Sequence, residues 1–325
     1  MLVSICLTGW RIKRRSLEQS AIIEDKIRLK KSNKDYRLRE VKCATGFNWS
    51  NLKAELRAIW ESNIKAWKLD FAYPVSFVRQ LISPVVFMLP FLLYGLALIG
   101  GRYSENLAQL VGTGDVVAFI FTGYIMMGFI GTAVWAMGFS MRREQWFGTL
   151  EAIYVTPASR LGQILGMALH STVHQGIGTI IQFIFIYVTF GLVLNIGGIL
   201  PALGIFALML FALYGFGIVI SALSLILKEG WIVSDIFYSI MTILSPVAYP
   251  LIVLPTLAQQ ASAIFPTAPA LIGMRSFLIE DYIPEVVGNV FLHLLVLGAV
   301  WILFGVFVFH LADRYVRKRG MLKKF

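Results

Sequence analysis

His170 and His174 are the pair of side chains with the clearest potential for chemistry in this sequence. Four residues apart on a helix, they would share one face, as two imidazole ligands of a metal ion do. No third metal ligand stands near them in sequence. We therefore favour the interpretation that these two polar residues line a helix interface or a water-filled cleft, and we expect no metal site here.

Motifs for nucleotide hydrolysis and for common hydrolytic enzymes are missing. The chain contains no GxxxxGK[ST], no HExxH and no GxSxG sequence. Without a P-loop it has no backbone cradle for nucleotide phosphates. We therefore expect a protein that is not an enzyme, with no catalytic residue and no cofactor of its own.

Residues 140–160 form the most informative charged segment. The charged side chains in it indicate contact with water, and they are Arg142, Arg143, Glu144 and Glu151. Its apolar residues recur at helical spacing up to Pro157, and they are Trp146, Phe147, Leu150, Ile153 and Tyr154. This pattern predicts one short amphipathic helix parallel to a membrane, against which a cytosolic partner could push. A loop helix with no partner is the alternative.

The composition predicts that a membrane surrounds most of the chain. Hydrophobic residues make up 58% of the sequence and charged residues 14%, and the mean hydropathy is +0.74. One soluble globule could not bury this much apolar surface. Six apolar runs are long enough to cross about 30 Å of hydrocarbon as helices. They are Leu81–Ile99, Val116–Phe139, Ile164–Leu194, Leu200–Leu227, Ile232–Leu254 and Val286–Leu311.

The predicted fold is thus an all-α, polytopic membrane protein with six transmembrane helices in residues 74–313. A charged tail, residues 1–48, precedes it, and a basic tail, residues 314–325, follows it. Residues 255–285 are interrupted by four prolines, which predicts a broken, re-entrant-like segment on the outer side, with an ordinary exposed loop as the alternative. The basic residues of the first tail fit a positive cytoplasmic flank better than a nucleic-acid site.

Residues 49–73 are predicted to form an amphipathic helix at the membrane interface. Its apolar positions recur at helical spacing and include three tryptophans: Trp49, Leu52, Leu56, Ile59, Trp60, Ile64 and Trp67. Its charged positions take the other side: Lys53, Glu55, Arg57, Glu61, Lys65 and Lys68. Such a helix is suited to the headgroup boundary. A helix packed on a soluble partner, or on loops of this chain, is the alternative.

The distribution of basic residues predicts the orientation. If both termini lie in the cytosol, all of the 29 lysines and arginines except Arg102 and Arg275 fall on the inner side. This asymmetry is a strong positive-inside signal. We therefore expect a multi-pass protein of the cell membrane with both termini cytoplasmic.

Ionisable residues inside the predicted spans are few, and this disfavours two other functions. Asp115 and Asp313 lie at span ends, Asp235 lies about one turn into the fifth span, and His293 lies in the sixth. Ion-coupled carriers and membrane-embedded enzymes use charged or polar clusters at mid-depth. A secondary transporter and a membrane-embedded enzyme remain the alternatives to an ATP-driven transporter.

The inner loop resembles that of a known family. The string Arg143-Glu144, Gly148-Thr149-Leu150-Glu151, Thr156-Pro157-Ala158-Ser159 is similar to the loop of type-2 ATP-binding-cassette (ABC) permeases. The head helix, the Tyr73-Pro74 entry to the first span, the six spans and the broken segment also resemble that family, over roughly residues 50–318. Residues 1–45 have no recognised counterpart.

The resemblance implies an exporter whose energy comes from a separate polypeptide. In that family the inner loop acts as a coupling helix in a groove of an ABC ATPase subunit, which binds ATP and Mg. A second permease copy or a homologous permease completes the path through the lipid bilayer. The ATPase-coupling residues that it implies are Arg142, Arg143, Glu144, Trp146, Phe147, Gly148, Thr149, Glu151, Thr156 and Pro157, with Lys228 and Glu229 as a second contact. The scarcity of buried charge favours an amphipathic, drug-like or lipid-linked substrate.

Overall fold

A computed structural model of the chain describes residues 49–155, 159–227, 229–279 and 287–319. Most of these residues are helical, and there is no strand among them. The chain divides into two units, Met1–Ala54 and Glu55–Phe325. The first is described only from Trp49, where helix α1 begins, so the predicted tails at residues 1–48 and 320–325 lie outside the described residues.

The helices follow one another along the chain with short connections. They are α1 (Trp49–Ala72), α2 (Pro74–Ile99), α3 (Glu105–Val111), α4 (Val116–Gly131), α5 (Ser140–Trp146), α6 (Leu150–Val155), α7 (Arg160–Phe190), α8 (Ile199–Leu227), α9 (Gly230–Leu244), α10 (Thr256–Ile264), α11 (Thr267–Leu278) and α12 (Val287–Arg319). A π-helical turn, Thr132–Met137, extends α4. Short 3-10 turns lie at Ile196–Gly198 and Leu251–Val253.

Among the residues that the structure describes, five stretches of helix are long and apolar enough to cross a membrane. They are Pro74–Ile99, Val116–Met137, Arg160–Phe190, Ile196–Leu227 and Asn289–Val316, which correspond to the first four predicted spans and the last. The third predicted span reaches Leu194, but α7 ends at Phe190, because Gly191 takes a left-handed conformation and caps the helix.

The fifth predicted span differs most from the observed helix. Residues 232–254 are predicted as one helix, but α9 ends at Leu244. At 15 residues it is about 22 Å long, short of the hydrocarbon thickness. Pro246 disfavours a helical conformation at Ser245, and Pro250 follows. Hydropathy missed this end because the residues beyond it are still apolar.

Helices α4 and α8 lie at the centre of the bundle. In its most apolar window α4 is 78% buried, whereas the corresponding windows of α2 and α7 are each 17% buried. Helix α8 packs along α12 at glycines: a Cβ on Gly215 would lie 2.4 Å from the Ile302 nitrogen, and one on Gly305 would lie 2.5 Å from the Gly215 oxygen. Small residues at this crossing let the two backbones touch.

Helix α1 buries a different face from the tryptophan-rich one. Ser62, Asn63 and Ala66 are buried, while Leu56 and Trp60 are more than half exposed. The buried face packs on α7, where the Ser62 hydroxyl donates to the Gln163 carbonyl over 3.1 Å. This face of α1 therefore packs on a long helix of the chain, not on the loops or the soluble partner of the predicted alternative. On the tryptophan-rich face Trp67 packs edge to face with His170, while Leu56 and Trp60 stay exposed.

A buried arginine donates hydrogen bonds to the non-helical backbone between α9 and α11. Arg275 of α11 is 5% exposed. Its guanidinium donates to the carbonyls of Pro246, Val247 and Phe119, each over 2.8 Å, and lies 3.5 Å above the Phe119 ring. Buried carbonyls without a helical partner need another donor. Arg275 thus donates to backbone carbonyls that have no helical partner after the end of α9.

Candidate functional site

The loop of residues 140–155 consists of two short helices, not the single helix predicted. α5 ends because Gly148 adopts a φ of +71°, which reverses the chain at little cost for glycine. The Thr149 amide donates to the Glu144 carbonyl over 3.0 Å, and the Gly148 amide donates to the Gln145 carbonyl over 3.1 Å. This pair of bonds is a Schellman motif. The Gly-Thr dipeptide therefore forms the corner of the 140–155 loop.

Glu144 is buried and is held by two side chains. The Lys65 ammonium of α1 donates to one carboxylate oxygen over 2.7 Å, and the Thr149 hydroxyl donates to the other. Burial alone would raise the pKa of Glu144. The hydrogen bonds from Lys65 and Thr149, with the charges of Lys65 and Arg143, outweigh it and hold the pKa below its ordinary value. Glu144 thus fastens the loop to α1.

The two arginines of α5 point into the chain. Arg142 is 5% exposed and donates a short hydrogen bond to the Gln145 side chain. Its aliphatic carbons pack beside Gly230, where an added Cβ would lie 3.0 Å from its Cγ. Arg143 donates to the Met167 sulfur of α7 over 3.2 Å. The start of α9 therefore lies beside α5, so Glu229 and Gly230 adjoin the 140–155 loop.

The exposed part of the loop is its corner. Trp146 is 56% exposed and Phe147 is 75% exposed, and Gly148 and Thr149 are exposed with them. The Trp146 ring contacts Phe139 edge to face at 5.0 Å, which fixes its direction. An exposed pair of large aromatic side chains on a charged loop is typical of a surface that a partner covers. We call residues 146–149 the loop tip.

A second buried polar cluster ties α6 to the last helix. The Tyr154 hydroxyl donates to the Asp313 carboxylate over 3.1 Å, and Arg160 donates to its other oxygen over 3.0 Å. The Arg160 guanidinium also lies 4.4 Å from the centre of the Tyr154 ring. Burial, followed by the Asp313 charge, raises the pKa of Tyr154. The hydroxyl therefore stays a hydrogen-bond donor at neutral pH.

The underside of the loop belongs to an apolar core. Met141 and Leu150 are 0% and 2% exposed. They pack in one cluster with residues of α7, α8 and α12: Ile164, Ala168, Ile218, Ala222, Leu225, Phe309, Ala312 and Val316. The loop is thus in contact with the ends of three long helices, because its apolar side chains are part of their packing.

Some predicted site residues cannot be placed. Thr156, Pro157 and Lys228 lie outside the described residues, and for Glu151 only the backbone, within α6, is described. Glu229 is exposed immediately before α9. Of the predicted set, Trp146, Phe147, Gly148, Thr149 and Glu229 are therefore exposed, while Arg142 and Glu144 are buried.

The histidine pair of α7 is used in packing. The His170 ring lies 2.9 Å from an Asp70 carboxylate oxygen and edge to face with Trp67, and the His174 ring contacts Phe77. Among the residues that the structure describes, no group of three His, Cys, Asp or Glu side chains could hold a metal ion. These contacts match the helix-interface role predicted for the pair.

Sequence reasoning did not find Lys65, Tyr154 and Asp313 as parts of this site. Lys65 was assigned to the charged side of α1, and Tyr154 only to an apolar strip. The signal available was weak, since a single acid at a span end and a single base on an amphipathic helix are common. Their roles depend on contacts between distant parts of the chain.

Comparison with known protein families matches residues 54–279 to the family described as ABC-2 type transporter. The matched region runs from α1 through α11 and includes the whole 140–155 loop. No curated protein matches the chain. The five long apolar helices and this match make the chain a multi-pass membrane protein with the transport domain of that family. The chain therefore belongs to the ABC-2 type transporter family, as a membrane permease.

Proposed function

We propose that this permease is the membrane subunit of an ATP-driven exporter and that the 140–155 loop couples it to a separate ABC ATPase. The observation that supports this best is the contrast within the loop. Its tip exposes Trp146 and Phe147, while Met141 and Leu150 beneath are buried among three long helices. A partner bound at the tip could therefore move the helices.

The coupling has three routes into the membrane domain. Glu144 joins the loop to α1, Arg143 joins it to α7, and Tyr154 joins it to α12. ATP and Mg would bind in the partner, and closure of two ATPase subunits would press the loop tips of two permease copies. In this proposal Glu144 and Arg142 hold the loop in shape, and the partner contacts the tip and Glu229.

We further propose six crossings, with α9 and the irregular residues after it as the fifth. Non-helical backbone is tolerated at membrane depth where protein surrounds it. Ser245, Pro246 and Val247 are buried, and Arg275 satisfies two of their carbonyls. With α1 at the inner interface and residues 255–285 as the broken outer segment, both termini lie in the cytoplasm of a cell bounded by this membrane.

Binding of the ATPase to the tip is the step to test. Tagged permease, purified with an ABC ATPase expressed from a neighbouring gene, should retain the ATPase and stimulate its hydrolysis of ATP. Trp146→Ala with Phe147→Ala should weaken that binding roughly tenfold or more, since exposed aromatic anchors dominate such interfaces. Vesicle uptake of lipids and amphipathic drugs would then identify the substrate.

The matched control is Phe87→Ala. Phe87 is 70% exposed, close to the 75% of Phe147. It lies within the apolar helix α2, where a cytosolic protein has no access. The control should leave ATPase binding unchanged. Equal binding by the double tip variant and the wild type would refute the coupling role of the tip.

A further inference from the structure

Helix α9 carries an acidic side chain on an exposed face that is mostly apolar. Asp235 is exposed, and its exposed neighbours on the helix include Ile232, Ile236 and Ile240. Within the described part of the chain, no residue forms an ion pair or a hydrogen bond with its carboxylate. A carboxylate on a membrane-crossing helix is costly against lipid and faces a water-filled cavity or a partner.

Two aromatic side chains of α9 lie on the same stripe of the helix as this carboxylate. Trp231, Asp235 and Tyr238 stand at i, i+4 and i+7 and therefore form one stripe along α9. Trp135 of the π-helical turn touches both ends of the stripe. Its ring centre lies 4.9 Å from that of Trp231 and 6.3 Å from that of Tyr238. Three aromatic rings and one carboxylate thus occupy a single surface between α4 and α9.

The π-helical turn explains why Trp135 reaches α9. The Gly138 amide donates to the Ala133 carbonyl over 3.1 Å, five residues back, so the turn is wider than an α-helical one. The Val134 carbonyl accepts a hydrogen bond from the Ser234 hydroxyl over 3.2 Å, which fixes α9 against the turn. Such turns are frequent at functional sites, where they redirect a side chain.

We propose that Trp135, Trp231, Asp235 and Tyr238 form a binding site for a lipophilic organic cation carried by this transporter; the assignment rests on the proposed function. Aromatic faces attract a cation through their quadrupole, most strongly in tryptophan. The Asp235 carboxylate adds charge attraction, which is large where water is scarce. The neighbouring isoleucines offer apolar contact to the body of the ligand.

The chemistry discriminates between substrate classes. An anionic amphiphile of the same shape would be repelled by Asp235, and a neutral one would gain only apolar contact. A second copy of the chain is the other occupant that could cover this face. We favour the cation, because a carboxylate on one surface with three aromatic side chains suits a cation better than it suits a flat apolar helix surface.

Equilibrium binding with two probes of opposite charge tests the site. The full chain in nanodiscs of zwitterionic lipid is titrated with tetraphenylphosphonium and, separately, with tetraphenylborate, and uptake by empty nanodiscs is subtracted. We expect saturable binding of the phosphonium at least about tenfold tighter than that of the borate. Asp235→Asn should remove this preference, and Asp235→Glu should keep it.

The control is Ser239→Ala, one turn further along α9, which should leave the preference unchanged. Equal binding of the two probes by the wild type, or an unaltered preference in Asp235→Asn, would overturn the proposal. So would an Asp235→Asn protein that changes its oligomeric state, since the carboxylate would then belong to a contact between copies. The assay contains no ATPase and no ATP, so its result stands apart from the test of the loop tip.

Discussion

The 140–155 loop and the segment from Ser245 to Leu278 both break the helical chain, and each holds a buried ionisable side chain. Glu144 is held by two side chains, and the loop tip, residues 146–149, is exposed. Arg275 is held by the chain's own backbone, and its carbonyl partners at Pro246 and Val247 are buried. The first break exposes an aromatic surface, and the second lies inside the bundle.

The difference follows from what each buried group must satisfy. A carbonyl inside the bundle has no water to replace a lost donor, so removing Arg275 leaves several acceptors unpaired at once. Glu144 is paired with Lys65, and about half of the Lys65 side chain is exposed. Perturbing the two sites should therefore give effects of very different size, and the following variants measure that difference.

The largest effect is expected from Arg275→Met. The variant removes the donor to the carbonyls of Pro246 and Val247. The Phe119 carbonyl loses one donor and keeps the Thr122 hydroxyl. We expect a cost of roughly 3 kcal/mol or more. The thermal unfolding midpoint of the purified protein should fall steeply, and the yield of folded protein should fall with it. Arg275→Lys should recover only part of the loss, since an ammonium group cannot reach all of these acceptors.

Arg102→Gln is the control for loss of an arginine. Arg102 pairs with Asp115 over 2.6 Å and donates to the Phe190 carbonyl over 2.6 Å, both at an exposed site. The hydrogen bond that Arg102 donates to Asp115 raises the pKa of Arg102. An exposed ion pair contributes little, about 1 kcal/mol or less. Equal unfolding midpoints for Arg275→Met and Arg102→Gln would show that Arg275 does not hold the break closed.

Tyr154→Phe should have an intermediate effect on the loop side. It removes the hydrogen bond to the Asp313 carboxylate and keeps the ring beneath Arg160, which should cost about 1.5 kcal/mol. Denaturant or thermal unfolding measures the loss. If α6 transmits force to α12, the variant should also lower the ATPase stimulation by substrate, whereas a purely structural role would leave that ratio unchanged.

Gly148→Ala tests the corner of the loop. A Cβ at this position meets no atom within 4 Å, so the cost is the left-handed backbone alone, about 1 kcal/mol. Gly176→Ala is the matched control, since it too meets no neighbour but lies inside a helix, where alanine is favoured. An unfolding midpoint raised by both substitutions would contradict the Schellman geometry.

The smallest effect is expected from the ion pair of Lys65 and Glu144. A double-mutant cycle with Lys65→Met and Glu144→Gln should give a coupling free energy of at most about 1 kcal/mol, because Lys65 is half exposed.

The same pair predicts a pH dependence. The pKa of Glu144 is lowered in the fold, so its contribution is present at pH values above its ordinary value of 4.5 and is lost as the pH falls through the lowered value. The unfolding midpoints of wild type and Glu144→Gln should therefore converge in that acidic range. A difference that stays constant down to pH 3 would contradict the assignment.

Much of this architecture could be predicted from the sequence. Apolar runs located all five helices that are long enough to cross a membrane, although α2 begins seven residues before the predicted Leu81 and α12 ends eight residues after the predicted Leu311. The predicted type-2 ABC permease family is confirmed by the family match over residues 54–279. These predictions succeeded because hydropathy is a sum over neighbouring residues. The end of α9 at Leu244 was missed for the same reason. Pro246 and Pro250 end the helix, but the summed hydropathy of the residues around them stays high.

The sequence by itself thus determined that the chain is helical and enters a membrane, and which loop carries charge. Only the tertiary structure decided which of those charged side chains are exposed and which are buried. Glu144 pairs with a residue 79 positions away, and Tyr154 with one 159 positions away. Such contacts depend on how whole helices pack, and no local pattern encodes them. That packing buried Glu144 and Arg142 and left Trp146, Phe147 and Asp235 exposed.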